Sequence, residues 1–363
     1  MTDSSAQVPL DQLDRQLLHA LQLDGRAQFR HLAPVLGVSE HTVARRYRRL
    51  RAAGLHIVGE PDAERLGRTR WLLRLRCAPD AAPRIAEALA LRPDTSYVSL
   101  ASGGTELHCI IHTGSAEEDE EVLLGALPRT PRITSFDAHC FLRTFCGNPP
   151  RWYTKLGALT PAQHTELLPE SATKSATEDT PESRNRTAPP PAPAPTSPPP
   201  ICLAPDWHPL ELDDTDRTLI GALAKDGRAG LPELAAETGL SSSSARRRLE
   251  RLRETGAVRI NVDFPPARLG YRKRAMLWLQ VAPGALQTVG EVLSTHPQTD
   301  LVAATSGPSN LVATVICHNP TELYLYLNQH IGALPDIQAV ETTPFIREVK
   351  RLAPRAPGNR HSA

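Results

Sequence analysis

The sequence predicts an α+β chain in two similar halves, each a winged helix-turn-helix domain followed by a ferredoxin-like domain of order β-α-β-β-α-β. Three observations carry that prediction. Residues 14–54 align without a gap with residues 216–256, and 19 of the 41 positions are identical, which makes the segments two copies of one module. Each copy has helical periodicity and closes on an arginine-rich helix. Beyond each copy the apolar pattern switches to the alternation of half-buried strands.

A chain of 363 residues holds two or three domains at about 150 residues each, and the repeat argues for more, smaller ones. Net charge is only +1, so contact with a polyanion must come from local clustering of cations. No apolar run approaches the ~18 residues of a membrane span, and Met1 to Leu10 lacks the cations of a signal peptide. A cytoplasmic protein without membrane contact is expected. Six cysteines form no C-x-x-C pair and read as reduced, buried small side chains. His108, Cys109, His112, His139 and Cys140 lack the tight spacing of a ligand set and read as alternate residues on neighbouring strands, so no metal and no cofactor is expected.

The expected boundaries are a first winged helix-turn-helix domain at 10–62, a ferredoxin-like domain at 68–148, and a short helical extension at 149–169. A Pro-rich linker follows at 170–209, then a second helix-turn-helix domain at 210–264 and a second ferredoxin-like domain at 270–352. Ala188 to Pro200 holds eight prolines in thirteen positions, a composition that favours extended polyproline II over a packed core.

Within the first copy Leu13, Leu17, Leu18 and Leu21 recur at helical steps, as Leu219, Ile220 and Leu223 do in the second. Asp24-Gly25 and Asp226-Gly227 stop this helix. A short second helix follows, in which Pro34 should kink or delay the first copy. Gly37 and Gly239 break the chain, and Ser39 and Ser241 cap a third helix that ends at Gly54 and Gly256. His56 to Glu60 and Val258 to Asp263 fit wings. Next come alternating strands (Leu73, Leu75; Leu277, Leu279), a helix, two strands around Gly103-Gly104 or Gly307, a capped helix and a last strand. Each such sheet buries its helical side and leaves the other face needing cover. Pairing of the two halves is therefore expected, in cis or between chains.

This combination resembles the Lrp/AsnC family of transcription factors. The matching residues are Leu13-Asp14, Asp24-Gly25-Arg26, Leu32-Ala33, Gly37-Val38-Ser39, Arg46, Leu50, Gly54 and Arg65-Leu66-Gly67. Their counterparts are Asp214, Asp226-Gly227-Arg228, Leu234-Ala235, Gly239-Leu240-Ser241, Arg248, Leu252, Gly256 and Arg268-Leu269-Gly270. The resemblance implies a sequence-specific regulator of double-stranded DNA, modulated by an amino acid or related small molecule and forming homo-oligomers. It also implies that one chain is a covalent pseudo-dimer. Two alternatives stay open: an enzyme like the sirohaem decarboxylases, which share the two-domain pattern and use histidines of the β-rich domain (here His108, His112 or His139), or a low-specificity nucleoid-architectural protein.

On the third helix, 100° per residue puts Val43, Tyr47 and Leu50 on the core face and turns His41, Arg45 and Arg48 outward. Early residues of such a helix reach base edges and later arginines meet phosphates. Ser39, His41, Thr42 and Arg45 are assigned to bases, Arg48 and Arg49 to phosphates, and Arg46 and Arg248 to structure. In the second copy the set is Ser241, Ser243, Ser244, Arg247 and Arg251, with Glu250 in place of Arg48. Residues 10–60 carry eight arginines against five carboxylates, while residues 211–262 carry nine of each sign, so the first copy should anchor DNA more strongly. For the effector, the family pattern points to Gly103, Gly104 and Glu106 in the first half and to Gly307 and Asn310 in the second. Turn amides would take a carboxylate and Glu106 the ammonium, while neutral Asn310 serves less well.

Overall fold

A computed structural model describes residues 10–125, 127–147, 152–168 and 208–352. Most of the expected Pro-rich linker, with Cys202, lies outside the described residues. The first helix-turn-helix consists of α1 (Gln12–Leu23), α2 (Phe29–Val35) and α3 (Glu40–Ala52), and the second of α7 (Asp214–Lys225), α8 (Leu231–Thr238) and α9 (Ser242–Glu254). Asp11 and Asp213 cap α1 and α7 by accepting from the Asp14 and Asp216 amides, which satisfies otherwise orphaned donors. Pro34 does not delay its helix, because α2 and α8 start at equivalent residues. It stands in the last turn, where the missing N–H costs one bond and ends the helix a residue early.

The stretches expected as wings are strands, and the structure adds their partner. β1 (His56–Pro61) and β6 (Val258–Asp263) are single strands that pair antiparallel with each other, Val58 opposite Asn261 and Gly59 opposite Ile260. Neither strand has a return strand of its own, so each meets its backbone hydrogen-bonding need on its copy.

The rest of the first half comprises β2 (Thr69–Cys77), α4 (Ala82–Leu91), β3 (Thr95–Ala101), β4 (Glu106–Thr113), α5 (Ala116–Leu124) and β5 (Ile133–Cys146). After α6 (Pro161–Leu167) and the second helix-turn-helix, the pattern returns as β7 (Lys273–Val281), α10 (Leu286–Thr295), β8 (Thr299–Thr305), β9 (Leu311–Cys317), α11 (Pro320–Tyr326) and β10 (Ile337–Lys350). The last strand of each half is long enough to serve two sheets. β5 pairs with β2 from Ile133 to Cys140 and then with β8 from Phe141 to Cys146. β10 pairs with β7 up to Pro344 and with β3 from Phe345 onward. The eight strands close into one barrel in the order β10-β3-β4-β2-β5-β8-β9-β7, which leaves no free edge.

Alternation along the strands decides the cores. Leu73, Leu75 and Leu107 pack under α4, and Leu277, Leu279 and Ala313 pack under α10 and α11, so the leucines expected in the sheets lie on their helical sides. The opposite faces meet inside the barrel, where Leu72, Ile110, Met276, Trp278, Leu301 and Val312 form a core shared by both halves. The segment after β5 ties helices to sheet. The Tyr153 hydroxyl and the Phe264 backbone exchange hydrogen bonds, and the Lys155 ammonium donates to the Ser294, His296 and Thr299 carbonyls at 2.7, 3.1 and 2.8 Å. The bonds to Ser294 and His296 satisfy carbonyls left over at the end of α10.

Shared strands and a shared core predict that the halves hold together without a covalent link. A chain cleaved between residues 169 and 207 should elute as a single species at micromolar concentration. Two separate halves would show that the barrel depends on the tether.

Candidate nucleic-acid interface

α3 and α9 are built alike. Gly37 and Gly239 lie at φ +66° and +68°, a left-handed conformation that costs glycine little and turns the chain sharply between helices. Ser39 then accepts from the Thr42 amide and Ser241 from the Ser244 amide, each at 3.2 Å. The Ser39 and Thr42 hydroxyls lie 3.0 Å apart, and the Ser241 hydroxyl lies 3.0 Å from those of Ser243 and Ser244. Val43 and Leu50 are buried, as are Ala245, Leu249 and Leu252. Tyr47 is half-buried against Phe29. Outward, His41, Arg45 and Arg48 are exposed on α3, and Ser243, Arg247 and Glu250 are exposed on α9.

The arginines on the flank of each third helix pair with carboxylates of the first. Asp14 is buried at the start of α1, and burial pushes its carboxyl up although Arg49 and Arg46 pull the other way. Arg46 reaches Asp11 at 2.6 Å, and Arg49 reaches Asp14 at 3.1 Å. In the second copy Arg248 bonds Asp213 and Asp216 at 2.6 and 2.7 Å, and Arg251 bonds Asp216 at 2.6 Å. Arg49 and Arg251, both expected at DNA, thus each also hold a carboxylate of the first helix. Each lies on the flank facing the first helix, where a buried carboxylate needs a cation.

Sequence reasoning missed how the two motifs join. Arg26 donates to the Gly227 and Ala229 carbonyls at 2.7 and 2.9 Å, and Arg228 donates to the Gly25 and Ala27 carbonyls at 2.6 and 3.0 Å. The repeated Asp-Gly-Arg-Ala thus forms a reciprocal clamp about a pseudo-twofold axis. Its glycine permits close approach, since a Cβ on Gly227 would lie 3.0 Å from the Val58 backbone. Arg228 also lies 4.8 Å over the Phe29 ring, and Arg253 pairs with Asp24 at 3.0 Å. The signal was present in the sequence: a turn needs Asp-Gly, but nothing in a turn explains an identical arginine. Arg246, which replaces Ala44, lines a groove between the motifs with Arg26, Arg228, Glu250 and Arg253.

The expected effector residues have other partners. Glu106 is 3% exposed and accepts from Arg74 Nε at 2.9 Å and from His108 Nε2 at 2.7 Å. Burial raises its pKa, but those two bonds win and hold it at about 2. Asn310 donates to the Val281 carbonyl at 2.8 Å and accepts from the Val281 amide at 2.9 Å, standing in for a strand neighbour. Glu106 and Asn310, expected to meet an effector ammonium, are thus already engaged within the protein. The turns also differ. Nothing lies within 4 Å of a Cβ added at Gly103 or Gly104, whereas at Gly307 it would meet His139 Nδ1 at 2.7 Å.

The histidines weighed for catalysis each have a local partner. His108 is buried on Glu106, and burial lowers its pKa. His112 bonds the Ser96 hydroxyl at 2.9 Å, and burial with Arg70 and Arg68 nearby holds it at about 3. His139 Nδ1 bonds the Ser306 carbonyl at 2.9 Å, and His108 and His139 both contact the Trp278 ring. Among the described residues no three His, Cys, Asp or Glu side chains are grouped to hold a metal, and no helix is long and apolar enough to cross a membrane.

Comparison with known proteins matches residues 10–51 and 212–253 to the AsnC-type helix-turn-helix domain and residues 274–354 to the Lrp/AsnC ligand binding domain. The chain is 32% identical over 142 residues to the HTH-type transcriptional regulator FL11 of Pyrococcus abyssi, covering 39% of this chain and 93% of that one. It is 26% identical over 153 residues to the HTH-type transcriptional regulator AldR of Mycolicibacterium smegmatis, covering 41% and 90%. Among solved structures, the siroheme decarboxylase NirDL covers 94% of this chain and 93% of its own at a TM-score of 0.56 and 15% identity, a likeness of fold.

Proposed function

Because this chain belongs to the Lrp/AsnC family of helix-turn-helix transcriptional regulators, we propose that it reads specific double-stranded DNA sequences, mainly through α3, and answers to an amino acid or related small molecule. The observation that carries the DNA reading is the sorting of arginines on α3. Arg46 and Arg49 are held inward on carboxylates, while Arg45 and Arg48 project from the exposed face. A rigid helix with outward arginines suits the major groove. The ligand-binding match in the second β-rich half supports an effector; in the first half the turn Ser102–Gly104 is open and suits a carboxylate, whereas His139 stands close at Gly307, so one strong site per chain is expected. Leu142 and Ile346, exposed at equivalent places on β5 and β10, offer apolar surface to a second copy, and a DNA reader of this kind works in the cytoplasm.

The reading as a regulator rests on the two helix-turn-helix matches and on the exposed arginines of α3, while His108, His112 and His139 each hold a local hydrogen bond. Genome-wide occupancy, measured with and without amino acids in the medium, is the test. The expected result is a set of discrete sites whose occupancy changes with the medium. Diffuse occupancy would replace the reading with an architectural protein, and discrete but unresponsive sites would remove the effector from it.

A further inference from the structure

We propose that the DNA bound by each single chain of this protein is non-palindromic: two unlike half-sites at a fixed spacing, one gripped by α3 and a weaker one read by α9. The proposal rests on the reading of the chain as a sequence-specific DNA binder and adds the class of sequence it takes. A dimer of identical subunits mirrors its twofold symmetry in its operator. Here the symmetry is only that of the backbone. The Arg26–Arg228 clamp, the Arg253–Asp24 pair and the β1–β6 ladder fix one α3 beside one α9 within a single chain. The two faces so presented differ in chemistry. His41, Arg45 and Arg48 are exposed on α3, where α9 exposes Ser243, Arg247 and Glu250.

Of these three outward positions only the arginine in the middle is common to both helices, so that contact, with the shared serine cap, can repeat between half-sites while the other two cannot. A hydroxyl in place of an imidazole changes which base edges are read near the helix start. Later on the helix, the Arg48 cation faces the phosphate backbone, while the Glu250 carboxylate at the same place repels it. Arg246 adds a cation to α9, but it lines the groove beside Glu250 and Arg253. The first half-site therefore carries more of the affinity and more of its salt dependence.

The test is selection of binding sites by the intact protein from a pool of random duplexes, at low and physiological salt. Two unlike half-sites at one spacing are expected. Single base-pair changes in the half-site read by α3 should lower binding at least about fivefold, and changes in the other should lower it less. A variant carrying Ser243→His, Ser244→Thr and Glu250→Arg should enrich an inverted repeat of the first half-site. Its salt dependence should steepen by about one counterion or more. Two like half-sites in inverted order at the α3–α9 spacing, selected by the native protein, or a motif unchanged in the variant, would overturn the proposal; an inverted repeat of the whole two-part motif would report a second copy and leave it standing. A pool that enriches no motif at all would overturn the DNA reading itself, so the two failures are distinguishable.

Discussion

Replacing Arg45 and Arg48 by alanine is expected to weaken binding to the strongest genomic site by about 2–5 kcal/mol, a base contact contributing ~1–3 kcal/mol and a phosphate contact adding a salt-dependent share. Both side chains are exposed on α3, so their loss leaves the fold intact. Arg247→Ala, on the equivalent face of α9, should cost less than half as much. Gel shifts across a salt series give both numbers, and the slope against salt should flatten by about one counterion for the Arg48 contact. Equal losses on the two helices would show that both anchor DNA alike. Arg46→Ala is the control for a structural arginine: with its 2.6 Å bond to Asp11 gone, it should lower the melting temperature as well as the affinity.

The second large effect lies inside the barrel. Glu106→Gln should destabilise the protein by about 3 kcal/mol, the scale of breaking a buried ion pair. Glu106 links Arg74 on β2 to His108 on its own strand, while Arg74 also holds Glu341 of β10 and stands 4.7 Å over Trp278 of β7. The network therefore joins the two halves. Its carboxylate sits at about 2 against an ordinary 4.5. Stabilisation from such a lowered group is fully present above the unfolded pKa and is lost as pH falls through the folded one. The difference between native protein and variant should be constant above about pH 5 and should shrink between about pH 4.5 and 2. Urea denaturation across that range measures it. Glu341→Gln, which removes a half-exposed partner, should cost under about 1 kcal/mol. A variant as stable as the native protein at neutral pH would mean that water or Glu341 replaces the lost partner.

What was legible in the sequence followed the range of the interaction. The serine caps of α3 and α9 are legible because a cap binds an amide three residues away. The outward placement of Arg45 and Arg48 follows from helical period alone. The ion pair of Arg49 is not legible, because its partner, Asp14, sits on another helix, 35 positions back. The partners of Glu106 are hidden for a related reason. The alternation of β4 shows that it shares a face with His108, but Arg74 reaches it only through the β2–β4 register. The Ser102–Gly104 turn was read from its glycines, whereas the obstruction at Gly307 by His139 depends on how β5 crosses to β8.

By itself the sequence determined the duplication, the helices with their stops and caps, the order of strands in each half and the exposed face of each third helix. All of these are set by residues within a few positions of one another, where propensity and period act directly. Only the tertiary structure decided which strand meets which. β1 finds β6 some 200 residues away, β5 and β10 each leave their own sheet to complete the other, and Arg26 and Arg228 reach across to opposite carbonyls. A sequence shows that a strand edge or a buried guanidinium must be satisfied, because leaving it unpaired is costly. It does not show which distant group does so, since either copy offers the same chemistry and only packing the two halves together selects one.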